Sequence, residues 1–218
     1  MKDWAPDHPK AKLMARKRNA ILAAAREVFL SQGYEGASME AIAAAADVSI
    51  MTLYRHAESK EDLFSAVISL VCDPEHEAQW EAVMKLPLRD ILVVFGMAFQ
   101  EKLASAETAA LLRAVMAETS RFPELAETAY RGFVGHHEKL TEDLLGEKED
   151  SRGLGKAVRR KLGAAFIDRL FGADLLRVLL GLKGVSTAEF RARAERAADE
   201  TMAALDAAIE SGARTISA

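Results

Sequence analysis

Four hydrogen-bonding side chains fall within one short stretch of the sequence, at Ser49, Thr52, Arg55 and His56. A helix repeats every 3.6 residues or so, which places these four positions on one side of it. Their hydroxyl, guanidinium and imidazole groups can bond to base edges in the major groove of DNA, whose width of about 12 Å admits one helix. Leu53 is apolar and can hold the same helix against a core.

The preceding elements must support such a helix. Apolar residues follow helical spacing at Ile21, Leu22, Ala25, Val28 and Phe29, and Gly33 is typical of a helix C-terminus. Ser38 can cap a short helix over 39–46, and Ser49 can cap a second over 50–56. Two short helices joined by a tight turn indicate a helix-turn-helix. An alanine-rich helical hairpin without a DNA partner is the open alternative.

Helical patterns continue along the chain. Ser59 and Asp62 fit the start of a fourth helix, which extends to residue 72. Further helices are expected from Pro74 to Pro87, then over 88–105, 107–119, 122–145, 154–182 and 187–211, with an exposed loop over 146–155. No segment combines strand alternation with β-branched residues. The fold class is therefore predicted to be all-α.

Composition excludes several classes of protein. The 218 residues are 50% hydrophobic and 28% charged, as in globular proteins, with a net charge of −4. The longest charge-free runs, 63–72 and 91–100, hold ten residues each, whereas a membrane-spanning helix needs about 20. No signal peptide is evident, and the single Cys72 can form neither an internal disulfide nor a four-cysteine zinc site. We expect a soluble cytoplasmic protein without a membrane partner.

The positive charge is concentrated near the start of the chain. Residues 8–26 contain six basic residues, among them Arg16 and Lys17, and no acidic residue. A basic segment that leads into a small domain can bind phosphates. A solvated tail is the alternative.

The sequence contains no grouping typical of an enzyme. The motifs of serine hydrolases, zinc proteases and nucleotide-binding loops are absent. His136 and His137 are adjacent, so they point in different directions around a helix and do not converge on a metal. We expect no enzymatic activity, no cofactor and no metal.

Residues 18–70 resemble the N-terminal DNA-binding domain of the TetR family of transcriptional repressors. The resemblance is carried by ILAAAREVF at 21–29, GYEGASMEAIA at 33–43, VS at 48–49, TLYRH at 52–56 and SKEDLF at 59–64. The stretch RFPEL at 121–125 is often met in the regulatory domains of this family. The resemblance implies a three-helix helix-turn-helix domain followed by a C-terminal helical domain for ligand binding and dimerisation.

The resemblance also implies roles for individual residues. Base edges would be contacted by Ser49, Ile50, Met51, Thr52 and Arg55. The DNA backbone would be contacted by Ser38, Tyr54, His56 and Lys60, with Arg16 and Lys17 in the basic segment beside them. Packing of Tyr54 as a half-buried aromatic and an ordinary surface role for His56 are alternatives.

Three departures from the family pattern affect this surface. Asp47 stands where glycine is usual in the turn, so a positive φ is expected there. Ile50 and Met51 replace lysine and glycine, which favours contact with thymine methyl groups. Ala57 replaces a large aromatic residue and removes buried area worth about 2–3 kcal/mol unless a neighbour fills the gap.

The implied boundaries are a basic arm over 1–15, the helix-turn-helix domain over 16–58, a linking helix over 59–72 and a regulatory domain over 73–218. Large apolar residues and a histidine in the middle helices are candidates for an effector pocket, with core packing as the alternative: Trp80, Phe95, Phe99, Met116, Phe133 and His136. Small and large residues alternate in the last two helices and are candidates for a dimer interface, with a monomeric core hairpin as the alternative: Leu162, Phe166, Leu170, Ala173, Ala198 and Leu205.

Together these features predict a ligand-responsive transcriptional regulator. It would act as a homodimeric repressor on a palindromic double-stranded DNA operator and be released by a small, hydrophobic effector. A helical protein-interaction module that does not bind DNA is the alternative.

Overall fold

The computed structural model describes residues 8–72, 81–148, 151, 153–182, 184 and 186–212. The first four elements are helices, as expected: α1 (Pro9–Gly36), α2 (Met39–Ala45), α3 (Ile50–Tyr54) and α4 (Lys60–Cys72). The helical geometry of α1 is interrupted at Gly33, whose φ is 72°. The predicted helix after Pro74 begins outside the described residues, and Trp80 also lies outside them.

The remaining described elements are also helical: α5 (Leu88–Leu103), α6 (Ala106–Glu118), α7 (Pro123–Tyr130), a π-helical turn (Arg131–Gly135), α8 (His136–Glu147), α9 (Lys156–Leu170), α10 (Ala173–Leu179) and α11 (Thr187–Glu210). Within the described ranges no β-strand occurs, which confirms the all-α fold class. Among these same residues, no helix combines the length and the apolar character needed to cross a bilayer.

The chain forms two compact units. Unit 1 comprises Met1–Val71 with Ala110–Ala129, and unit 2 comprises Cys72–Ala109 with Tyr130–Ala218. The sequence analysis placed the whole regulatory domain after residue 72. In the structure, residues 110–129, which contain most of α6 and α7, cluster with the N-terminal helices.

Aromatic packing explains why residues 110–129 belong to unit 1. Tyr34 at the end of α1 contacts the ring of Phe64 on α4, with ring centroids 5.3 Å apart, and the ring of Phe122, at 5.2 Å. Phe29 completes the cluster at 5.1 Å from Phe64. The guanidinium of Arg121 also pairs with the carboxylate of Glu35. A short apolar segment after α6 is thus part of the core of unit 1.

Unit 2 is built around α5, α9 and α11, with α8 packed along α9. Ile91, Phe166 and Ala194 are fully buried among these helices. Gly163 permits the close contact of α9 with α8, since an added Cβ there would lie 2.9 Å from the carbonyl oxygen of Glu138. Small residues in these helices therefore serve packing within one chain.

The sequence predicted one helix over 154–182, but the structure has two helices there. α9 ends at Leu170, and Gly172 adopts an extended conformation before α10 begins at Ala173. The guanidinium of Arg193 occupies the space beside Gly172, only 2.7 Å from the position that a Cβ would take. Arg193 also donates to Gln100 at 3.1 Å and pairs with Asp174. A polar interaction between helices thus fixes the break.

The predicted helix over 122–145 is interrupted in a milder way. The chain passes from α7 to α8 through the π-helical turn at Arg131–Gly135 without leaving the helical path. One extra residue per turn there shifts the face that α8 presents relative to α7.

Candidate nucleic-acid interface and apolar cavity

The turn between α2 and α3 has the backbone geometry that the sequence predicted. Asp47 adopts a φ of 51°. Among the described residues other than glycine, it is the only one with a positive φ. The amide of Val48 then donates to the carbonyl of Ala43 at 3.0 Å and closes the turn. Asp tolerates the left-handed region better than most residues do, so this substitution is compatible with a helix-turn-helix.

One residue anchors α3 and the others face outward. Leu53 is fully buried, while Met51 is 72% exposed and Tyr54 is 46% exposed. Ile50 and Thr52 are half-buried at the edge of the same face. The exposed side of α3 therefore offers both apolar and hydrogen-bonding groups to a partner.

A chain of hydrogen bonds orders the polar side of α3. The hydroxyl of Ser49 accepts from the amide of Thr52 at 3.2 Å and so caps the helix. The two hydroxyl groups of Ser49 and Thr52 lie 2.9 Å apart. The guanidinium of Arg55 donates to the hydroxyl of Thr52 at 3.1 Å. These three side chains form one preorganised polar surface.

The predicted helix over 50–56 is shorter in the structure. α3 ends at Tyr54, and Arg55 is its C-terminal cap residue. His56 follows in a turn and is half-buried. Both residues stay next to the polar side of α3, beyond the regular helix.

The basic residues at the start of α1 lie close enough to influence His56. Burial lowers the pKa of His56, and the charges of Arg18, Arg55 and Lys17 lower it further. Arg16, Lys17 and Arg18 are all exposed on α1. A cluster of positive charge therefore borders α3, as phosphate binding requires. Arg18, which the sequence analysis did not single out, lies in the same acid-free segment and belongs to this cluster.

Two predicted phosphate contacts have structural roles in this conformation. The hydroxyl of Ser38 caps α2 by accepting from the amide of Ala41 at 3.1 Å. The ammonium of Lys60 donates to the carbonyls of Tyr34, at 2.8 Å, and Ala37, at 3.1 Å. It also lies 4.5 Å from the centre of the Tyr34 ring. Lys60 thus fastens α4 to the end of α1.

Ala57 fits its position without the large aromatic residue that is usual there. It is 7% exposed and directly follows the turn after α3. Its amide donates to the carbonyl of the buried Leu53 at 3.1 Å. The small side chain is therefore part of the core that holds α3.

Unit 2 contains an apolar cavity of about 240 Å³. α5 contributes Ile91 and Phe95, one turn apart, and the segment before α5 contributes Met84. α8 supplies the rest of the lining: Leu140, Asp143, Leu144 and Glu147. An apolar wall with a few polar groups is the usual character of a small-molecule site.

The predicted effector residues are dispersed. Phe95 lines the cavity, whereas Phe99 and Phe133 are buried outside its lining. The ring centroid of Phe99 lies 4.7 Å from that of His137. His136 is half-buried, and Met116 is 58% exposed on the part of α6 that belongs to unit 1. Apolar spacing alone does not distinguish a cavity wall from a core, so Ile91, Leu140 and Leu144 were missed.

Burial lowers the pKa of His137 to about 4, and the neighbouring His136 contributes to the same shift. The Nδ1 atom of His137 lies 3.1 Å from the carbonyl oxygen of Phe133. A neutral imidazole that donates to this carbonyl accounts for both observations. His137 is a satisfied core residue beside the cavity.

The residues predicted for a dimer interface mostly belong to the core of a single chain. Leu162, Phe166, Leu170, Ala198 and Leu205 are at most 9% exposed. These five side chains pack within their own chain and offer little surface to a partner, and their place in a dimer interface stays a prediction. Ala173 is exposed at the start of α10.

Exposed apolar residues continue from Ala173 along α10. Leu176 is 60% exposed and Leu180 is 65% exposed, and the spacing of 173, 176 and 180 puts all three on one helix face. Leu182, in the segment after the helix, is 55% exposed.

In the described part of the chain, no group of three or more histidine, cysteine or acidic residues is arranged to hold a metal ion.

Comparison with family models gives two adjoining matches. Residues 21–67 match the model described as bacterial regulatory proteins, tetR family. Residues 90–207 match the C-terminal domain of AefR-like transcriptional repressors. The second match alone covers more than half of the chain.

Individual proteins show the same likeness. The HTH-type transcriptional regulator UidR of Escherichia coli (strain K12) is 49% identical over 51 residues, which are 23% of this chain and 26% of UidR. The chain thus matches about a quarter of the length of this curated relative. A TetR-family transcriptional regulator of Mesorhizobium loti MAFF303099 has a similar fold, with a TM-score of 0.64 at 24% identity over 87% of this chain and 96% of that one.

A second similar structure is the flavonoid-responsive regulator FrrA. Its TM-score is 0.60 at 27% identity, over 87% of this chain and 97% of FrrA. The similar proteins named here are regulators of transcription rather than enzymes.

Proposed function

Since the chain belongs to the TetR family of DNA-binding transcriptional regulators, we propose that it is a repressor that binds a palindromic operator as a homodimer. A small molecule bound in unit 2 releases it. The match of residues 90–207 to the C-terminal domain of AefR-like transcriptional repressors supports repression over activation. Such a repressor acts in the cytoplasm of a bacterial cell, where the chromosome lies.

The exposed face of α3 is the observation that carries the proposal. Thr52 and Arg55 present hydrogen-bonding groups to base edges, while Met51 presents an apolar side chain suited to a thymine methyl group. Ile50 stands at the edge of the same face. Tyr54 and His56 lie at the border of α3, where they can contact the sugar-phosphate backbone.

The positive charge on α1 supplies affinity that does not depend on sequence. Arg16, Lys17 and Arg18 are exposed, and two of them act electrostatically on His56 next to α3. Each phosphate that such residues neutralise releases a bound counterion, so affinity falls as salt rises. The hydroxyl of Ser38 and the ammonium of Lys60 already form hydrogen bonds within the chain. Either group can contact a phosphate only in addition to those bonds.

Two copies of α3 are required for specificity. One helix contacts only a few base pairs, and two symmetric half-sites extend the sequence that is recognised. We assign the contact between protomers to the exposed apolar face formed by Ala173, Leu176 and Leu180. A twofold axis would bring this face against its own copy.

The cavity between α5 and α8 is suited to an effector. Its wall is mostly apolar, and the similar protein FrrA is described as responsive to flavonoids, which supports a small organic molecule as the signal here. The effector needs only to bind more tightly to a conformation that does not fit DNA. Each 1.4 kcal/mol of preference shifts the equilibrium by about tenfold.

A gel-shift and footprinting experiment on the DNA upstream of the gene for this protein tests the proposal. A palindromic footprint, with affinity that falls steeply as salt rises, is expected. A folded protein that shifts no DNA, even at low salt, would instead favour a protein-interaction module.

A further inference from the structure

We propose that the cavity between α5 and α8 selects a compact organic cation, with an apolar body and an ammonium group. This inference rests on the proposed function, because it takes the cavity to be the effector site. It specifies the charge and size of the molecule that the site accepts.

The wall of the cavity sets the apolar part of the ligand. Met84, Ile91, Phe95, Leu140 and Leu144 present hydrocarbon or aromatic surface to a volume of about 240 Å³. Drug-sized pockets begin at about 300 Å³, so a compact molecule is favoured. The aromatic side chain of Phe95 is part of this wall. The face of an aromatic ring attracts a cation more strongly than it attracts a neutral group.

The two polar side chains that line the cavity are both carboxylates. Asp143 and Glu147 are one turn apart on α8, so they occupy the same side of the helix as Leu140 and Leu144. The carboxylate side of the cavity and the ring of Phe95 both favour a positive charge. An anionic ligand would have to place its charge beside two like charges, which costs affinity.

Two lysines lie near this surface, and their positive charges partly offset those of the two carboxylates. The ammonium of Lys139 donates to Asp143 at 2.5 Å, in a pair whose side chains are 53% and 54% exposed. Such an exposed pair one helix turn apart is weak and easily replaced by a ligand cation. The ammonium of Lys148 donates to the carbonyls of Met84 and Leu86. Neither lysine lines the cavity.

Glu147 is the better placed of the two carboxylates. It is exposed at the end of α8, and the ion pairs found among the described side chains do not include it. Its substitution by glutamine removes charge from the cavity while leaving the packing of Leu140 and Leu144 intact.

Calorimetric titration of the full chain with three probes of similar size tests the inference. Benzyltrimethylammonium is the cation, neopentylbenzene is its neutral isostere and phenylacetate is the anion. The cation is expected to bind and phenylacetate to bind at least about tenfold more weakly. The inference is overturned if the cation does not bind, or if phenylacetate binds as tightly.

A matched pair of variants locates the binding site. Glu147→Gln is expected to weaken binding of the cation by about fivefold and to leave neopentylbenzene unchanged within about twofold. Glu101→Gln removes the same charge from an exposed position on α5 outside the cavity, and it is expected to bind the cation as the parent does. Equal effects of the two substitutions would show that the cavity carboxylates do not select the ligand.

The same samples separate this inference from the proposed function. Binding of the probes is measured without DNA, and DNA binding is measured without the probes. A protein that binds its operator but fails the probe test overturns the cation site alone. A protein that binds the cation but no DNA overturns the repressor and leaves the charge preference of the cavity standing.

Discussion

At the residue scale, the polar surface of α3 depends on Thr52. Its hydroxyl links Ser49 to Arg55, so this one side chain both faces a partner and orients its neighbour. The sequence identified all three residues from helical spacing. The sequence did not show that they bond to one another, because hydroxyl and guanidinium directions depend on the fold.

Substitution of Thr52 distinguishes specificity from general affinity. In Thr52→Ala the base contact and the orientation of Arg55 are lost, so discrimination between operator and unrelated DNA should fall by about tenfold. Tyr54→Phe removes a hydroxyl that is placed to contact the DNA backbone, so it should weaken binding to all duplexes alike. Fluorescence anisotropy with specific and unrelated duplexes measures both. The assignment of α3 is contradicted if each variant binds both duplexes as the parent does.

His137 gives the protein a stability that depends on pH. Its pKa is about 4 in the folded chain, against 6.5 for the free side chain, and it is only 7% exposed. The unfolded state therefore binds more protons between these two values, and stability falls as the pH falls through this window. At pH 5 the loss from this group is about 2 kcal/mol.

The variant His137→Phe keeps an aromatic ring beside Phe95 and Phe99 but does not titrate. Between pH 7 and pH 5 its free energy of unfolding should decrease by about 2 kcal/mol less than that of the parent. Chemical denaturation at the two pH values measures this difference. Parallel decreases in the two proteins would mean that His137 is not held neutral.

At the element scale, the helices were predictable because capping residues and apolar spacing act locally. Ser38, Ser49 and Ser59 each accept a hydrogen bond from an amide in the first turn of the helix that follows. The break between α9 and α10 depends instead on a distant partner. Gly172 breaks a helix because Arg193, more than twenty residues later, fills the space beside it. No local pattern contains that information.

Close packing of α8 and α9 predicts the effect of a single methyl group. Gly163→Ala should destabilise unit 2 by about 2 kcal/mol, because the new Cβ meets backbone atoms that cannot move separately. The gain in helix propensity, about 1 kcal/mol, offsets only part of this loss. Thermal unfolding measures the difference.

Gly146→Ala is the matched control, because it makes the same change in α8. There the nearest atom to the added Cβ belongs to the side chain of Arg159, at an ordinary contact distance of 3.4 Å. This variant should be as stable as the parent or slightly more stable. Equal stability of the two variants would contradict the packing described for Gly163.

At the scale of the whole molecule, the sequence predicted the family but not the boundaries of its units. Residues 110–129 lie far along the chain from α1, and they join unit 1 through Phe122 and Arg121. Five of the six positions predicted for a dimer interface are buried within the chain, for a related reason. Alternating small and large residues indicate close helix packing, and such packing is the same within a chain as between chains.

The exposed face of α10 predicts how the oligomer is disrupted. Leu180→Glu places a charge within the proposed contact between protomers, so it should shift the protein from dimer to monomer. It should also weaken binding to the full palindrome. Met116→Glu, at an equally exposed apolar residue of unit 1, should leave the dimer intact. Sedimentation velocity measures the mass of each species, and a dimeric Leu180→Glu would locate the interface elsewhere.

In the proposed function, two outward-facing copies of α3 recognise one stretch of double-stranded DNA. Selection of binding sequences from a random pool of duplexes, followed by sequencing, tests it most directly. An inverted repeat whose half-sites are about one duplex turn apart, or about 10 base pairs, should be enriched. A pool that stays as random after several rounds as it was at the start would contradict it.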